Sequence, residues 1–380
     1  MAPRGLALCL AALLLAAPGC FTHRPVLTLS ADGALAAGEH RTWSGVVIQV
    51  SGSVPRTLDV PAGAMLELRH ANLDGGPGLT LRVNGTLVLD AVEASAVRIV
   101  LEPGAAAWAN RSVLNLGRGG IVARHAALAV DGSVLHGSPE EWLRAEGGNV
   151  TLSGTTLQDA GGGRPGIVAD GTALRLDHVA LSGSTGYGIQ ATGGSLRMQA
   201  SFVASNADYG LQATDADVTL EGNRWSAFCG AFLGNGTRLH ILGDTFVSAH
   251  RGLTLVGANA TVEGARFEGV PNAIQTFGGA ARIANGTFTG NAAALRVQGG
   301  HLELSGNRFT GNGAAVEVRE GTLAAHGNRF EASTVYTLRN RGNQTVDATG
   351  NWWGRPAGPT LGPGAEVQGD VHVDPWATTL

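Results

Sequence analysis

The chain has 380 residues, a formal net charge of −4 and 58 glycines. All 26 of its basic Lys/Arg positions are arginine, which excludes Schiff-base and other lysine-dependent chemistry. The acidic balance and the lack of a basic patch argue against a nucleic-acid partner.

The first element is a leader. Arg4 supplies a positive start, Leu6 to Ala17 is apolar, and small residues lead to Cys20. The apolar run is too short to span a bilayer comfortably, so residues 1–19 read as a signal peptide. Ala17-Pro18-Gly19-Cys20 is similar to a lipobox, although Ala17 and Pro18 depart from it. Lipidation of Cys20 and ordinary cleavage nearby both stay open, and a lipid would be the membrane attachment. Only Cys20 and Cys229 remain past the leader, so no disulfide framework exists.

Residues 26–130 alternate apolar and polar positions, as in Ala64-Met65-Leu66-Glu67-Leu68 and Thr86-Leu87-Val88-Leu89-Asp90. They read as irregular coils with an N-terminal cap, because an uncovered first coil would be an open sheet edge. From 131 to 354 the chain repeats. Trp225, Phe246, Phe267, Phe288, Phe309 and Phe330 recur every 21 residues, and Trp353 follows after 23. Phe202, Leu181, Leu157 and Leu135 extend the series upstream. Four of the aromatics close a Gly-Asn motif, beginning at Gly222-Asn223, Gly306-Asn307, Gly327-Asn328 and Gly350-Asn351. Beyond the aromatics runs an aliphatic column, Ile189, Leu211, Phe232, Leu253, Ile274, Leu295, Val316 and Leu338, which stands seven residues past the aromatic from Phe232 to Val316.

Period-two alternation between Gly/Asn turns predicts two or three short strands per unit and no helix. Units of this length pack only on their neighbours. The fold class is therefore all-β: a parallel solenoid of 21-residue coils, with equivalent residues roughly 4.8 Å apart. The aromatics should stack inside, and the asparagines should ladder at a turn. A leucine-rich repeat lacks its signature here, and a propeller blade needs a longer unit. Residues 355–380 are rich in Gly and Pro and read as a tail folded over the last coil.

Asn351-Trp352-Trp353-Gly354, Gly358-Pro359, Gly369-Asp370-Val371 and Pro375-Trp376 resemble the closing segment of secreted right-handed parallel β-helix proteins. That superfamily is the pectate-lyase-like one, and it includes periplasmic copper-maturation proteins. The resemblance implies a right-handed helix and a secreted or surface-tethered location, facing the periplasm in a Gram-negative host. It implies calcium or copper as the ions to consider. It does not specify a function, since the scaffold carries lyases, hydrolases, adhesins and spacers.

Chemistry-bearing residues are sparse. A lyase or hydrolase needs carboxylates in neighbouring coils, and Asp215, Asp217 and Glu221 are not repeated in register. Asp177-His178 resembles a pectate-lyase pair, yet fits an ordinary coil equally well. Asp208, Cys229 and His250 stand 21 residues apart. Stacked, they could supply an activated thiolate or bind a soft metal such as copper; a buried cysteine and a surface histidine explain them as well. Asp370, His372 and Asp374 alternate in the tail and could hold a metal or simply solvate it.

Alternation past the aliphatic column points Gln190, Gln212, Thr254, Gln275, Arg296, Glu317 and Arg339 outward, with Tyr187 and Tyr209 at the start of that row. Amides for hydroxyls and tyrosines for stacking suit a polysaccharide or cell-envelope glycan. Solvent-facing strand positions must be polar in any case. Seven N-x-[ST] sequons, at Asn84, Asn110, Asn149, Asn235, Asn259, Asn285 and Asn343, would carry N-glycans in a competent host, and otherwise serve as turn chemistry. A binding or structural module is the expected role. A polysaccharide lyase or hydrolase, and a periplasmic metal handler, are the alternatives.

Overall fold

The computed structural model describes residues 24–226, 229–247 and 249–379. The predicted leader and Cys20 lie outside them. The described residues contain strands and turns and no helix. All named pairings are parallel and link each strand to its equivalent one coil on, as in Ile189↔Leu211, Leu211↔Phe232 and Phe232↔Leu253. The chain is a parallel β-solenoid with coils of about 21 residues.

Each regular coil has three strands. A three-residue strand carries the aromatic (Thr287–Thr289, Arg308–Thr310, Arg329–Glu331), and these form the aromatic ladder. A longer strand follows, carrying the aliphatic column (Tyr209–Thr214, Gly230–Asn235, Arg251–Val256), and forms the aliphatic ladder. A five-residue strand closes the coil (Asp217–Glu221, Arg238–Leu242, Asn259–Glu263) and forms the closing ladder. Every other residue of the aromatic and closing strands is buried, which is the alternation seen in the sequence, while the aliphatic strands carry longer buried runs at their starts.

The interior is three stacked columns. Rings from Phe246 to Trp353 lie parallel with centroids 4.6 to 5.0 Å apart, and Trp225–Phe246 is wider at 6.0 Å. Such offset pairs contribute about 0.5–1.5 kcal/mol each beyond area burial. The aliphatic column from Ile189 to Leu338 is in register throughout and at most 1 % exposed.

One expectation fails at Phe202. Leu181 pairs with Val203, and Val203 with Trp225, so valine fills the interior position. Phe202 pairs with Arg224 and is 41 % exposed. The upstream spacing is two equal steps rather than 23 and 21, and a one-residue slip in a strand moves a side chain to the opposite face.

The Gly-Asn-x-aromatic motif now has a physical account. The glycine turns the corner with positive φ, at 64°, 66°, 64° and 69° for Gly222, Gly306, Gly327 and Gly350. Asparagine follows with its side chain inside the corner. Asn307 N–H donates to Asn328 Oδ1 at 2.9 Å, and Asn328 N–H to Asn351 Oδ1 at 2.8 Å. Their Nδ2 groups donate inward to Ile283 and Leu304 carbonyls at 2.8 and 3.0 Å. This satisfies buried amides where no strand partner exists. A second ladder, which the sequence reading missed, lies past the aromatic strand: Val270 N–H donates to Asn291 Oδ1, and Asn291 N–H to Asn312 Oδ1, both at 2.9 Å.

Asp244 takes the asparagine position beside Trp225. It accepts from Asn223 N–H at 2.9 Å and from Trp225 Nε1–H at 2.8 Å. The phenylalanines have no donor to satisfy here; the Trp225 indole does. Burial pushes the Asp244 carboxyl up to about 6, against those donors.

The tail contacts the last coil. Val367–Gln368 pairs with the Tyr336–Asn340 strand, and Ala377 N–H donates to Asn351 O at 3.0 Å. Val373 is buried.

Candidate functional site

The outer face of the aliphatic ladder carries the row singled out from the sequence. Gln190, Gln212, Leu233, Thr254, Gln275, Arg296, Glu317 and Arg339 pair in that order, one per coil. Each points outward because its preceding neighbour belongs to the inward aliphatic column. Leu233 is the position the reading left out. Crowding is the surprise: Thr254 and Glu317 are buried although they face out. Along this face Gln212 Oε1, Thr254 Oγ1, Asn272 Oδ1 and Arg296 Nε are buried without a hydrogen-bond partner.

The two tyrosines behave differently from each other. Burial, followed by the negative charge of nearby Asp208, raises the Tyr187 phenol. Tyr209 lies flat on the next coil, where a Cβ on Gly230 would come 2.3 Å from its Cε1. Arg251 Nη1 donates to its hydroxyl at 3.0 Å. At 7 % exposure Tyr209 offers no free ring face to a sugar.

Asp208, Cys229 and His250 immediately precede three consecutive strands of this ladder. Cys229 is exposed, and its Sγ–H donates to Ala207 O at 3.5 Å. Asp208 lies near Tyr187. Among the described residues no three His, Cys, Asp or Glu side chains converge enough to hold a metal ion, these and the Asp370–His372–Asp374 trio included.

The downstream half of the face is where charge gathers. Glu317, 3 % exposed, lies 3.7 Å from Arg296, 3.4 Å from Arg319 and 3.1 Å from Arg341. Arg339 stacks 4.1 Å above the Tyr336 ring and donates from Nε to Gln368 Oε1 at 2.7 Å. Burial, then the Glu317 charge, raises the Tyr336 phenol. Arg319, Tyr336 and Arg341 were missed by the sequence reading. The signal was available in the alternation Glu317-x-Arg319 and Arg339-x-Arg341. At the upstream end Glu141 is ringed by Arg144 and Arg164. Burial opposes its ionisation, but its own N–H and the two guanidiniums outweigh burial and hold it below the usual carboxylate range.

The remaining expectations fall elsewhere. Asp177 and His178 sit 2.8 Å apart at a positive-φ corner, outside this face. Six sequon asparagines are exposed, while Asn110 is half-buried and donates to Asp90 at 3.0 Å.

No protein-family model matches this chain, and no curated protein matches it. Among solved structures it is similar to a mutant of the periplasmic alginate epimerase AlgG, with 9 % identity, a TM-score of 0.31, and coverage of 90 % of this chain and 76 % of that one. It is also similar to a mannuronic-acid-specific polysaccharide family 6 lyase from human gut microbiota, with 10 % identity, a TM-score of 0.21, and coverage of 87 % and 82 %. The geometry of the coils themselves identifies the chain as a parallel β-solenoid.

Proposed function

We propose that the chain is a secreted or envelope-facing module that binds an extended acidic glycan along the outer face of the aliphatic ladder. The observation that supports this reading is the downstream row. Arg251, Arg296, Arg319, Arg339 and Arg341 face outward against the carboxylates of Glu317 and Glu320, in a chain of net charge −4. Glu317 holds three guanidiniums in place from below, and their remaining N–H groups are free to meet carboxylates or sulfates. A polymer lying along the solenoid axis meets Arg251, then, past the Gln275 coil, at least one arginine in each of the three coils from Arg296 to Arg341. Upstream, Gln190, Gln212 and the Tyr187–Asp208 pair suit sugar hydroxyls.

Affinity electrophoresis of the mature chain in gels containing polygalacturonate, alginate or neutral xylan tests this. Retardation by the acidic polymers, weakened by salt and by Arg339→Ala with Arg341→Ala, is the expected result. Equal retardation by xylan would refute it.

A second reading is a polysaccharide lyase, favoured by Tyr336, whose ring lies 4.1 Å beneath the Arg339 guanidinium. A lyase abstracts a proton beside a carboxylate that a cation has neutralised, and leaves an unsaturated chain end. The release of unsaturated ends from the same polymers, lost in Tyr336→Phe, would establish it.

A further inference from the structure

The irregular upstream coils hold a feature that the regular coils lack. Three successive strands, Asn72–Val83, Glu93–Leu101 and Val113–Arg124, run through the corner that elsewhere breaks the chain between the aromatic and aliphatic ladders. Each bulges there. Register shifts fall between Asp74 and Leu79, between Asn115 and Leu116, and between Leu116 and Ile121. Ala96 takes a φ of 53° in the middle strand. Stacked bulges and a non-glycine residue in the left-handed region are costly to maintain, and they recur where side chains are re-aimed towards a ligand.

The bulges line an open-sided pocket of about 490 Å³. That lies in the range of small-ligand sites. Pro55, Pro77 and Gly117 wall it, and Thr80 and Arg98 come from adjacent strands, where they pair in register. Arg98 is the unusual group. Its Nε is buried without a partner, and among the described residues no carboxylate forms an ion pair with it. Glu140, the carboxylate of the pocket, pairs instead with the exposed Arg118 at 3.4 Å. The loop passes over Arg98 at Gly119, where a Cβ would stand 2.9 Å from Nε. Glycine there, with φ of 84°, is what allows the guanidinium to sit beneath the loop.

We propose that this pocket holds the oxyanion group of a compact acidic sugar, with Arg98 as its counter-charge and Thr80 as a hydroxyl partner. Two arginines against one carboxylate leave the pocket with one positive charge to neutralise. A guanidinium with unused N–H groups binds a planar carboxylate better than any neutral hydroxyl. The bulged walls limit the guest to a compact one, whereas the arginine row downstream is open along the axis. This site stands apart from the glycan row and does not depend on it.

Ligand-observed NMR titration of the mature chain with glucuronate, glucose and inorganic phosphate tests the proposal. Glucuronate should bind and glucose should not. Arg98→Gln should weaken glucuronate at least about tenfold, with Arg98→Lys intermediate and Arg341→Ala without effect. If Arg98→Gln fails to fold, the Arg98 Nε–H resonance of the unmodified chain gives the same answer by shifting on glucuronate addition. Equal binding of glucose, an unmoved Arg98 resonance, or binding of phosphate but not glucuronate would overturn it.

Discussion

The aromatic column and the outer row of the aliphatic ladder share one period and one backbone, yet only the column repeats its chemistry. Phe246 to Phe330 is phenylalanine in five consecutive coils. Over the same coils the row reads Thr254, Gln275, Arg296, Glu317, Arg339. A close-packed interior with a fixed coil spacing admits one shape at each level. An outward strand position needs only to tolerate water, so each coil is free to specialise. Function should therefore be sought where the repeat breaks its chemistry without breaking its register.

Truncation should separate the two regions most sharply. Phe288→Ala removes a fully buried ring stacked on both sides. It should cost about 3–5 kcal/mol in denaturant unfolding, whereas Gln275→Ala should stay within about 0.5 kcal/mol. Similar losses at the two positions would mean that the row, too, is structural.

Asp244 sharpens the comparison, because it is the one carboxylate in the interior corner column. With a folded pKa of about 6 against an ordinary 3.8, it binds its proton more tightly in the folded chain. Below about pH 4 both states are protonated and it adds no pH dependence. From there to about pH 6 stability falls as pH rises, and above that the whole penalty of about 3 kcal/mol stands. Unfolding free energies across this window should slope downward in the native chain and flatten in Asp244→Asn. A native chain with no slope would place the carboxyl near its ordinary value.

Asn328 both accepts and donates within the corner ladder. Asn328→Ala leaves the Asn307 N–H and the Leu304 carbonyl without that partner, and a loss of about 1–3 kcal/mol is expected by thermal or denaturant melting. Arg339→Ala, on the row, should instead leave unfolding almost unchanged while weakening acidic-polymer retention about tenfold. A melt as damaged as that of Asn328→Ala would assign Arg339 to the tail contact with Gln368. The smallest effect should come from Ala200, held at a φ of 46° in the corner position that glycine fills downstream. Ala200→Gly should stabilise by about 1 kcal/mol or less.

Much of this was legible in the sequence. The 21-residue period named the solenoid, and alternation assigned the inward and outward rows residue by residue. Gly-Asn-x-Phe encoded a left-handed corner, an amide ladder and an interior ring in that order. The slip at Phe202 shows the limit. In Phe202-Val203-Ala204 both of the first two residues are apolar, so only pairing with Leu181 and Trp225 decides which one faces in.

What the amino-acid order determined by itself is whatever depends on spacing: coil length, strand faces, corner chemistry and the residues of the outer row. What the tertiary structure decided is how those outward side chains meet. Tyr209 was expected as an open platform and is buried over Gly230. Glu317 was an exposed acid by alternation and is enclosed by arginines from three coils. Asp208, Cys229 and His250 kept their spacing, and among the described residues no group of three able to hold a metal forms there. Period fixes the height of a side chain along the axis. Its direction and burial follow from the bulk and charge of neighbours one and two coils away, and those come together only when the coils stack.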